Sequence, residues 1–558
     1  MKLTLKKGTA ALLAAAVLFL TACAGKTAEA PTDPELDDTL SGETLTAGAS
    51  ADRVFSLAVD YESPLNPITT TSSLNQMVDD LVYDRLFQVD ENFNVTSRIL
   101  EDWYYSKQED QAGVWVLSVR PDIQMHDGSL LTGEDVAYSL SRVFTSGSTH
   151  YQQQMSRVYV STYQGQVYLA TDYDNGLLIQ RMAVPIIKSY TNSILENVPV
   201  GSGPYMYSED RQSLVKFDGY EFADTLPVDT IYLRQYDGPE SLITEYESAL
   251  VDLVVNDPTS IYNMGYGGKS EKRTIFTSNM HFVCFNSNST FFRYEAYRNA
   301  MNYIIDRETV VSDVLDGAAD PSALPIHPNC SLFDTAWNSQ YAYDPARCVL
   351  ELERGGCRDL DGDGQLEFAL SGQKMEIGIN FVVCADNAAK VQAARRIAQD
   401  MEAIGLTVNL KELSWNDYVK ALQVDPEEEA EKDPEDQYPF IWDMYYGEIA
   451  LTGDWNTLTL FTGDWFDDGT LNYGRWTLPE MEAAVRGFIG ATDETRPDAE
   501  YAMLQSLFSN VPYLPVCFER REVISHVGVI TGIRPNQYSV FDDFAHWKIN
   551  LDGKETLP

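Results

Sequence analysis

The sequence predicts an α/β protein of two or three lobes, on three observations. About 500 residues follow Ser50, more than one hydrophobic core accommodates by the usual scaling. Strand-like and helix-like hydrophobic periods alternate along that length, which implies right-handed crossovers within mainly α/β lobes. No self-similar period marks a repeat architecture, and no stretch beyond the first 22 residues is apolar enough to span a bilayer.

At the N-terminus, Lys2, Lys6 and Lys7 precede an uncharged run over residues 8–22 that is too short for a permanent membrane helix, so residues 1–22 read as a secretory signal. The run ends in Leu20-Thr21-Ala22-Cys23, which resembles the lipobox of bacterial lipoproteins. That resemblance implies an acylated Cys23 as a lipid anchor on the outer side of the cytoplasmic membrane. Residues 23–50 are rich in Ala, Thr, Gly, Pro, Asp and Glu without hydrophobic periodicity, and read as a disordered tether.

The folded part begins with a strand over residues 53–59, broken at Pro64 and Pro67, and a helix in which Leu74, Met77, Val78, Leu81 and Val82 recur at helical spacing. Residues 114–120 are β-rich and Asp127-Gly128 signals a turn. Thr132 and Asp135 then open a helix in capping-box fashion, carrying Val136, Leu140, Val143 and Phe144. After a sharp turn at residues 201–205 come a strand over 230–233, a helix over 240–250 and a strand over 252–255. A second run starts near Asn380: strand 381–384, a helix whose face is Val391, Ala394, Ile397, Met401 and Ile404, a stop at Gly405, and the alternating strand of Leu406, Val408 and Leu410.

With 84 acidic and 40 basic residues the formal net charge is −44, and loss of the signal removes three lysines more. Nucleic-acid binding by phosphate neutralisation is thereby excluded. The densest acidic stretch, residues 425–436, lies between Tyr418 and the apolar Phe440-Ile441-Trp442 and reads as a solvated insertion projecting from one lobe. Beyond Cys23 there are six cysteines, at 284, 330, 348, 357, 384 and 517, with no CxxC pair. They read as buried small hydrophobes or an occasional disulfide, and no short-spaced Cys/His cluster suggests zinc.

Other chemistries fail on spacing. Asp359, Asp361, Asp363 and Gly364 open like an EF-hand loop, but position twelve is Leu370 where a bidentate glutamate is needed, so an acidic hairpin turn is the better reading. Gly268-Lys269-Ser270 lacks the first glycine of a phosphate loop. Ser202 between two glycines does not meet GxSxG, His126 beside Asp127 reads as part of a turn, and no HExxH occurs among the six histidines. The sequence therefore points to no catalytic constellation, no metal and no cofactor.

In order along the chain, Trp115-Val116-Leu117-Ser118-Val119-Arg120, Met125-His126-Asp127-Gly128 and residues 132–139 (TGEDVAYS) resemble the signature stretch of the family 5 extracellular solute-binding proteins, and Gly201-Ser202-Gly203-Pro204-Tyr205 is similar to that family's GTGPY turn. Asn286, Arg298, Ala300, Tyr303, Asp306-Arg307 and Gly317, then Tyr343-Asp344-Pro345 through the glycine-rich 355–364 segment, and Val511-Pro512-Tyr513-Leu514-Pro515, continue the likeness over residues 53–541. The resemblance implies a two-lobed periplasmic-binding-protein-like fold of type II, cluster C-like, with an extra subdomain inserted in lobe one. Lobe one would comprise residues 51–86, 201–278 and 522–558, the inserted subdomain 87–200, and lobe two 279–521, with two chain crossings as the hinge.

The same resemblance implies capture of a peptide or other small solute between the lobes and delivery to the permease and ATPase subunits of an ABC importer. A non-transport receptor that reports ligand by the same closure is the alternative. The family builds much of its ligand site in the stretch holding Trp415, Tyr418, Trp442, Tyr445, Tyr446 and Trp455, whose rings could stack on a solute. Trp442, Tyr445 and Tyr446 are the first candidates, and Trp415 and Tyr418 follow. In the peptide-binding members an aspartate three residues after the tryptophan pairs with the peptide ammonium, and here that position is Tyr445. A neutral phenol does not compensate a buried cation. The sequence thus expects a neutral or anionic solute, or a peptide in another register, unless Asp443 or Glu448 replaces the missing carboxylate.

Overall fold

The first strand, β1 (Phe55–Val59), is buried at every residue, as befits a parallel strand covered on both faces. It leads through the Pro64–Pro67 break into α1 (Ser73–Val82), where Met77, Val78, Leu81 and Val82 are buried at the expected spacing. The computed structural model describes residues 54–556 apart from 108–112, 146–150, 152–153, 192–197, 261–262, 264, 371–372, 435 and 464–470. The signal, the tether and Cys23 lie outside the described residues.

Next in the chain, β2 (Leu100–Ser106), β3 (Val114–Val119), β4 (Val158–Tyr163) and β5 (Gln166–Thr171) form an antiparallel sheet in the order β2-β3-β5-β4. Across it lies α2 (Gly133–Thr145), with the capping box intact: Thr132 Oγ donates to Asp135 at 2.6 Å, and the Asp135 N–H donates back to Thr132 Oγ at 3.3 Å. Val136, Leu140 and Val143 are buried, whereas Phe144 is 58% exposed. At roughly 100° per residue it lies about 40° beyond Leu140, at the margin of the stripe, and it stands in the helix's last turn.

The chain then returns to β1. Strands β6 (Tyr205–Tyr207), β7 (Ser213–Lys216) and β8 (Thr230–Gln235) complete a sheet ordered β1-β8-β7-β6, with β1 and β8 parallel. The turn at Gly201 sits on the end of α1, so close that a Cβ there would stand 2.3 Å from the Val82 carbonyl oxygen.

The largest sheet combines β9 (Leu253–Asn256), β10 (Ser270–Phe285), β11 (Gly378–Cys384), β12 (Thr407–Leu413), β13 (Met444–Ala450) and β14 (Tyr513–His526) in the order β9-β14-β10-β13-β11-β12. Between β11 and β12 runs α3 (Ala388–Ala403), capped by the Asn387 side chain, burying Val391, Ala394, Ile397 and Met401, and followed by Gly405 at φ +94°. After β12 comes α4 (Trp415–Gln423), and the acidic residues 425–436 follow it on the surface. Asp359 accepts the N–H groups of Gly362 and Gly364 in a hairpin turn, and Gly268-Lys269-Ser270 leads into a strand, not a helix.

Two large hydrophobic cores result, and β10 and β14 belong to both. Ile275 and Val523 pack in the core that holds β1, α1 and the β2–β5 sheet, whereas Met280 and Phe518, a few residues away, pack in the core of β11, β13 and α3. Their pairing slips between Phe276 and Met280, and again where His281 faces Cys517 but Phe282 faces Pro515. Pro515 has no N–H to donate, and a bulge is the place in a central strand that tolerates it.

Candidate solute-binding cleft

Because β11 pairs in parallel with both β12 and β13, the carboxyl ends of these strands, Cys384, Leu413 and Ala450, lie along one edge of the sheet, and α3 and α4 begin there. The crevice outside such carboxyl ends is where open α/β sheets bind ligands. The middle of β10 reaches the same edge antiparallel to β13, which sets His281 opposite Glu448 and Asn279 opposite Ala450.

Charged groups converge at this place. His281 Nε2 lies 2.6 Å from Glu519 Oε1, and His281 Nδ1 lies 2.8 Å from Tyr446 Oη. The Asn279 amide donates to both Glu448 and Glu519, and the Lys390 ammonium, from the first turn of α3, rests on Glu448. Burial pushes the Glu519 carboxyl up, but the His281 imidazole outweighs it and holds the group below the usual carboxylate range. His281 and Glu519 are buried, while the side chains of Glu448 and Lys390 keep 23% and 19% exposure, so the cluster is reached from their side. One donor atom from each of His281, Glu448 and Glu519 lies within 4.8 Å of the others; Asp359, Asp361 and Asp363 make a similar but exposed group.

The aromatic residues expected to stack on a solute are placed otherwise. Trp442 is fully buried and Tyr445 and Tyr446 are 3% and 2% exposed, so none offers an open face. Trp442 and Tyr445 meet edge to face, and Tyr445 also packs on Phe282, Tyr418 and Tyr473 inside the core. The strand period explains the burial of Tyr445 and Tyr446: consecutive residues of a central strand in a covered sheet face two buried sides. Trp455 is buried against Phe93 and Phe518. Tyr418 is buried too and donates to the Tyr446 carbonyl at 2.9 Å, and Trp415, half-buried at the start of α4, stacks on it.

Asp443 is engaged within the fold. It precedes β13 and accepts from Ser289 Oγ at 2.5 Å and the Asn380 N–H at 2.9 Å, with burial pushing its carboxyl up. It ties the chain entering β13 to β11 and to the turn after β10. Glu448 stands at the strand edge beside Lys390, and Glu448, Trp415 and Asp443 are the partly exposed members of the expected set. Sequence reasoning missed His281, Glu519, Asn279 and Lys390; they lie far apart in the chain, and only strand register brings them together.

Facing this edge, the segment between β5 and β6 closes onto the chain after β13. Asp454 accepts from Asn175 Nδ2 at 2.8 Å and pairs with Arg181 at 3.3 Å, Asn456 donates to Tyr173 Oη at 2.8 Å, and the Gly176 N–H donates to the Ile489 carbonyl at 2.9 Å. Ser202 and His126 are bound into the fold: Ser202 Oγ donates to Asp84 at 2.6 Å, and His126 Nε2 lies 3.1 Å from the Gly203 carbonyl.

Two cores joined by a pair of shared strands, with charged groups gathered between them at the strand ends, define a two-lobed solute-binding protein. The chain belongs to the bacterial extracellular solute-binding proteins, family 5, whose middle-region model matches residues 94–466. It is 21% identical over 534 residues to the oligopeptide-binding protein AppA of Bacillus subtilis, covering 89% of this chain and 90% of that one. It is 21% identical over 380 residues to the heme-binding protein A of Haemophilus influenzae, covering 66% and 63%. Among solved structures the fold is shared with the ABC transporter substrate-binding protein CtaP of Listeria monocytogenes (TM-score 0.67, 16% identity, 89% and 99% covered) and with Campylobacter jejuni NikZ in complex with Ni(L-His) (TM-score 0.61, 17% identity, 89% and 99% covered). This chain is accordingly a solute-binding protein of the ABC-importer type. Among the described residues no helix is long and apolar enough to cross a membrane.

Proposed function

We propose that this chain captures a peptide or another small solute in the cleft at the carboxyl ends of β11, β12 and β13, closes on it, and presents it to permease and ATPase subunits while a lipid on Cys23 holds it at the membrane. Lobe one is then 51–86, 201–278 and 522–558, with 87–200 inserted, and lobe two is 279–521. Residues 276–280 of β10 and 518–523 of β14 are the hinge. The observation that carries the reading is that these two strands pass from one hydrophobic core into the other, with the partly exposed Glu448–Lys390 pair beside the crossing. A ligand touching both lobes shifts the population toward the closed form by its differential contacts. The reading is of a binder and not an enzyme, because Ser202 and His126 are committed to structural hydrogen bonds.

In the floor of the cleft Lys390 covers Glu448, and Glu519 is taken up by hydrogen bonds to His281 and Asn279. A free-amine peptide in the family's usual register finds no open carboxylate there, which favours a neutral or anionic solute or a peptide in a different register. The test is mass spectrometry of solute retained by the signal-less protein, followed by calorimetry with di- to pentapeptides, their N-acetylated forms and oligosaccharides, and by X-ray scattering. Saturation is expected to lower the radius of gyration. Tight binding of free-amine peptides that vanishes on acetylation would refute the charge argument, and an unchanged radius at saturation would refute closure. Cys23→Ala is expected to release the protein into the medium.

A further inference from the structure

We propose that His281, Glu448 and Glu519 form a binding site for one borderline divalent cation of the zinc or nickel kind, set in the floor of the cleft; this rests on the reading of that cleft as the solute site. The donor set is one imidazole nitrogen and two carboxylates, the mixture such ions prefer over all-oxygen or all-sulfur sites. The three residues come from three neighbouring strands, β10, β13 and β14, so sheet register fixes their mutual position. Their donor atoms lie within 4.8 Å of one another. Bonds of about 2.1 Å in a tetrahedral site put ligand atoms about 3.4 Å apart, so a modest inward turn of two glutamate side chains completes the geometry.

The surrounding groups are those that metal ligands require. Tyr446 Oη, 2.8 Å from His281 Nδ1, fixes the ring with Nε2 aimed at the carboxylates. Asn279 donates to Glu448 and Glu519 together and orients both. Two carboxylates this close favour an added positive charge, and in the metal-free protein the Lys390 ammonium on Glu448 supplies it, while the His281 ring lies 2.6 Å from Glu519. Lys390 is the exchangeable one: it stands on a flexible four-carbon stem, partly exposed, and can swing away without disturbing the core. A divalent ion that replaces it gains coordinate bonds from three fixed donors, which a monovalent ammonium does not. The entry path is the accessible side of Glu448, and the fourth coordination position opens there, toward a bound solute. The exposed Asp359–Asp361–Asp363 group is a poorer candidate, because Asp359 already accepts two backbone N–H groups and Lys374 covers Asp361.

The test is calorimetric titration of chelator-stripped protein with Zn²⁺ and with Ni²⁺, using wild type, Lys390→Gln, Tyr446→Phe and His281→Asn. One ion per chain is expected for wild type. Lys390→Gln, which removes the competing ammonium, is expected to bind several-fold more tightly, a gain that misfolding cannot produce. Tyr446→Phe is expected to lose about 10–100-fold as an outer-shell partner does, and His281→Asn to lose more. Absence of binding in both wild type and Lys390→Gln, an affinity unchanged by Lys390→Gln, or binding undiminished by His281→Asn would each overturn the site. Scattering with the retained solute in the presence of chelator separates the two readings: closure without metal leaves the solute-binding reading standing when the metal site falls.

Discussion

Arg181 and Asp454 form an ion pair of 3.3 Å with side chains only 4% and 0% exposed, joining the segment before β6 to the chain after β13. Asp454 also accepts from Asn175 and from Thr452, so its carboxylate is well supplied with donors. Asp454→Asn leaves the Arg181 guanidinium buried without its counter-ion, a loss of about 3–5 kcal/mol for buried pairs broken on one side. On the lobe boundaries proposed above the pair joins one lobe to the other, so the expected relief is separation of the lobes. The ligand-free variant should show a larger radius of gyration than wild type in X-ray scattering; equal radii would mean that the pair does not hold the closed form.

A second buried pair ties the C-terminal segment to the first strand. Lys554 contacts Asp252 with both side chains at most 1% exposed and donates to the Val54 carbonyl at 2.8 Å, while Asp252 accepts the Ser56 N–H at 2.7 Å. Lys554→Met strands a buried carboxylate and is expected to destabilise by about 3–5 kcal/mol. Chemical denaturation read by circular dichroism measures it, and Asp252→Asn combined with Lys554→Met should recover part of the loss.

Glu500 gives a pH dependence of definite sign. Burial and the neighbouring Asp334 raise its carboxyl to about 7, against the opposing effect of Arg496. A carboxyl raised by folding favours the folded state fully below its unfolded value of about 4.3, and that contribution is lost as pH rises through the folded value. Glu500→Gln should therefore leave the melting temperature nearly unchanged at pH 4 and raise it relative to wild type at pH 8. A variant that melts lower than wild type at pH 8 contradicts this.

Gly201→Ala tests the contact of the turn with α1. Its new Cβ would meet the Val82 carbonyl oxygen at 2.3 Å, and neither backbone can retreat cheaply. Overpacking of this kind costs about 1–3 kcal/mol, seen as a fall in melting temperature. An unchanged melting temperature would show that the turn is free to move.

The six cysteines after Cys23 are all unpaired thiols, five of them buried. Burial pushes Cys284, Cys348 and Cys357 up to about 12. The native protein is expected to react slowly with a thiol reagent, at half-buried Cys384 first, and to release all six on unfolding. Fewer than six in denaturant without reductant would reveal a disulfide.

The elements with local punctuation were legible in the sequence: the capping box of Thr132 and Asp135, the Asn387 cap and Gly405 stop of α3, and the apolar stripes of α1 and α3. The two longest strands were not. Residues 270–278 mix lysine, arginine, glutamate and serine with few apolar residues, and residues 513–526 hold a proline and a run of four charged residues, so neither shows a strand period. Each strand leaves one core and enters the other, and the crossing is built from buried polar residues such as Thr277, Ser278, Asn279 and Glu519. Of the residues that the sequence put forward for the cleft, Glu448 is partly exposed beside Lys390 and Trp415 is partly exposed at the start of α4, while Trp442, Tyr445 and Tyr446 lie in the core.

By itself the sequence determined the α/β class, the family and the local starts and stops of helices, since these depend on neighbours within a turn or two and on motif order. Only the tertiary structure decided which side chains share the cleft. Asn279, His281, Lys390, Glu448 and Glu519 span 240 positions of chain and meet through the register of β10 with β13 and β14 and the placement of α3. No spacing rule encodes that meeting, because strand pairing over such distances is fixed by the packing of whole sheets and not by the residues that come to face one another.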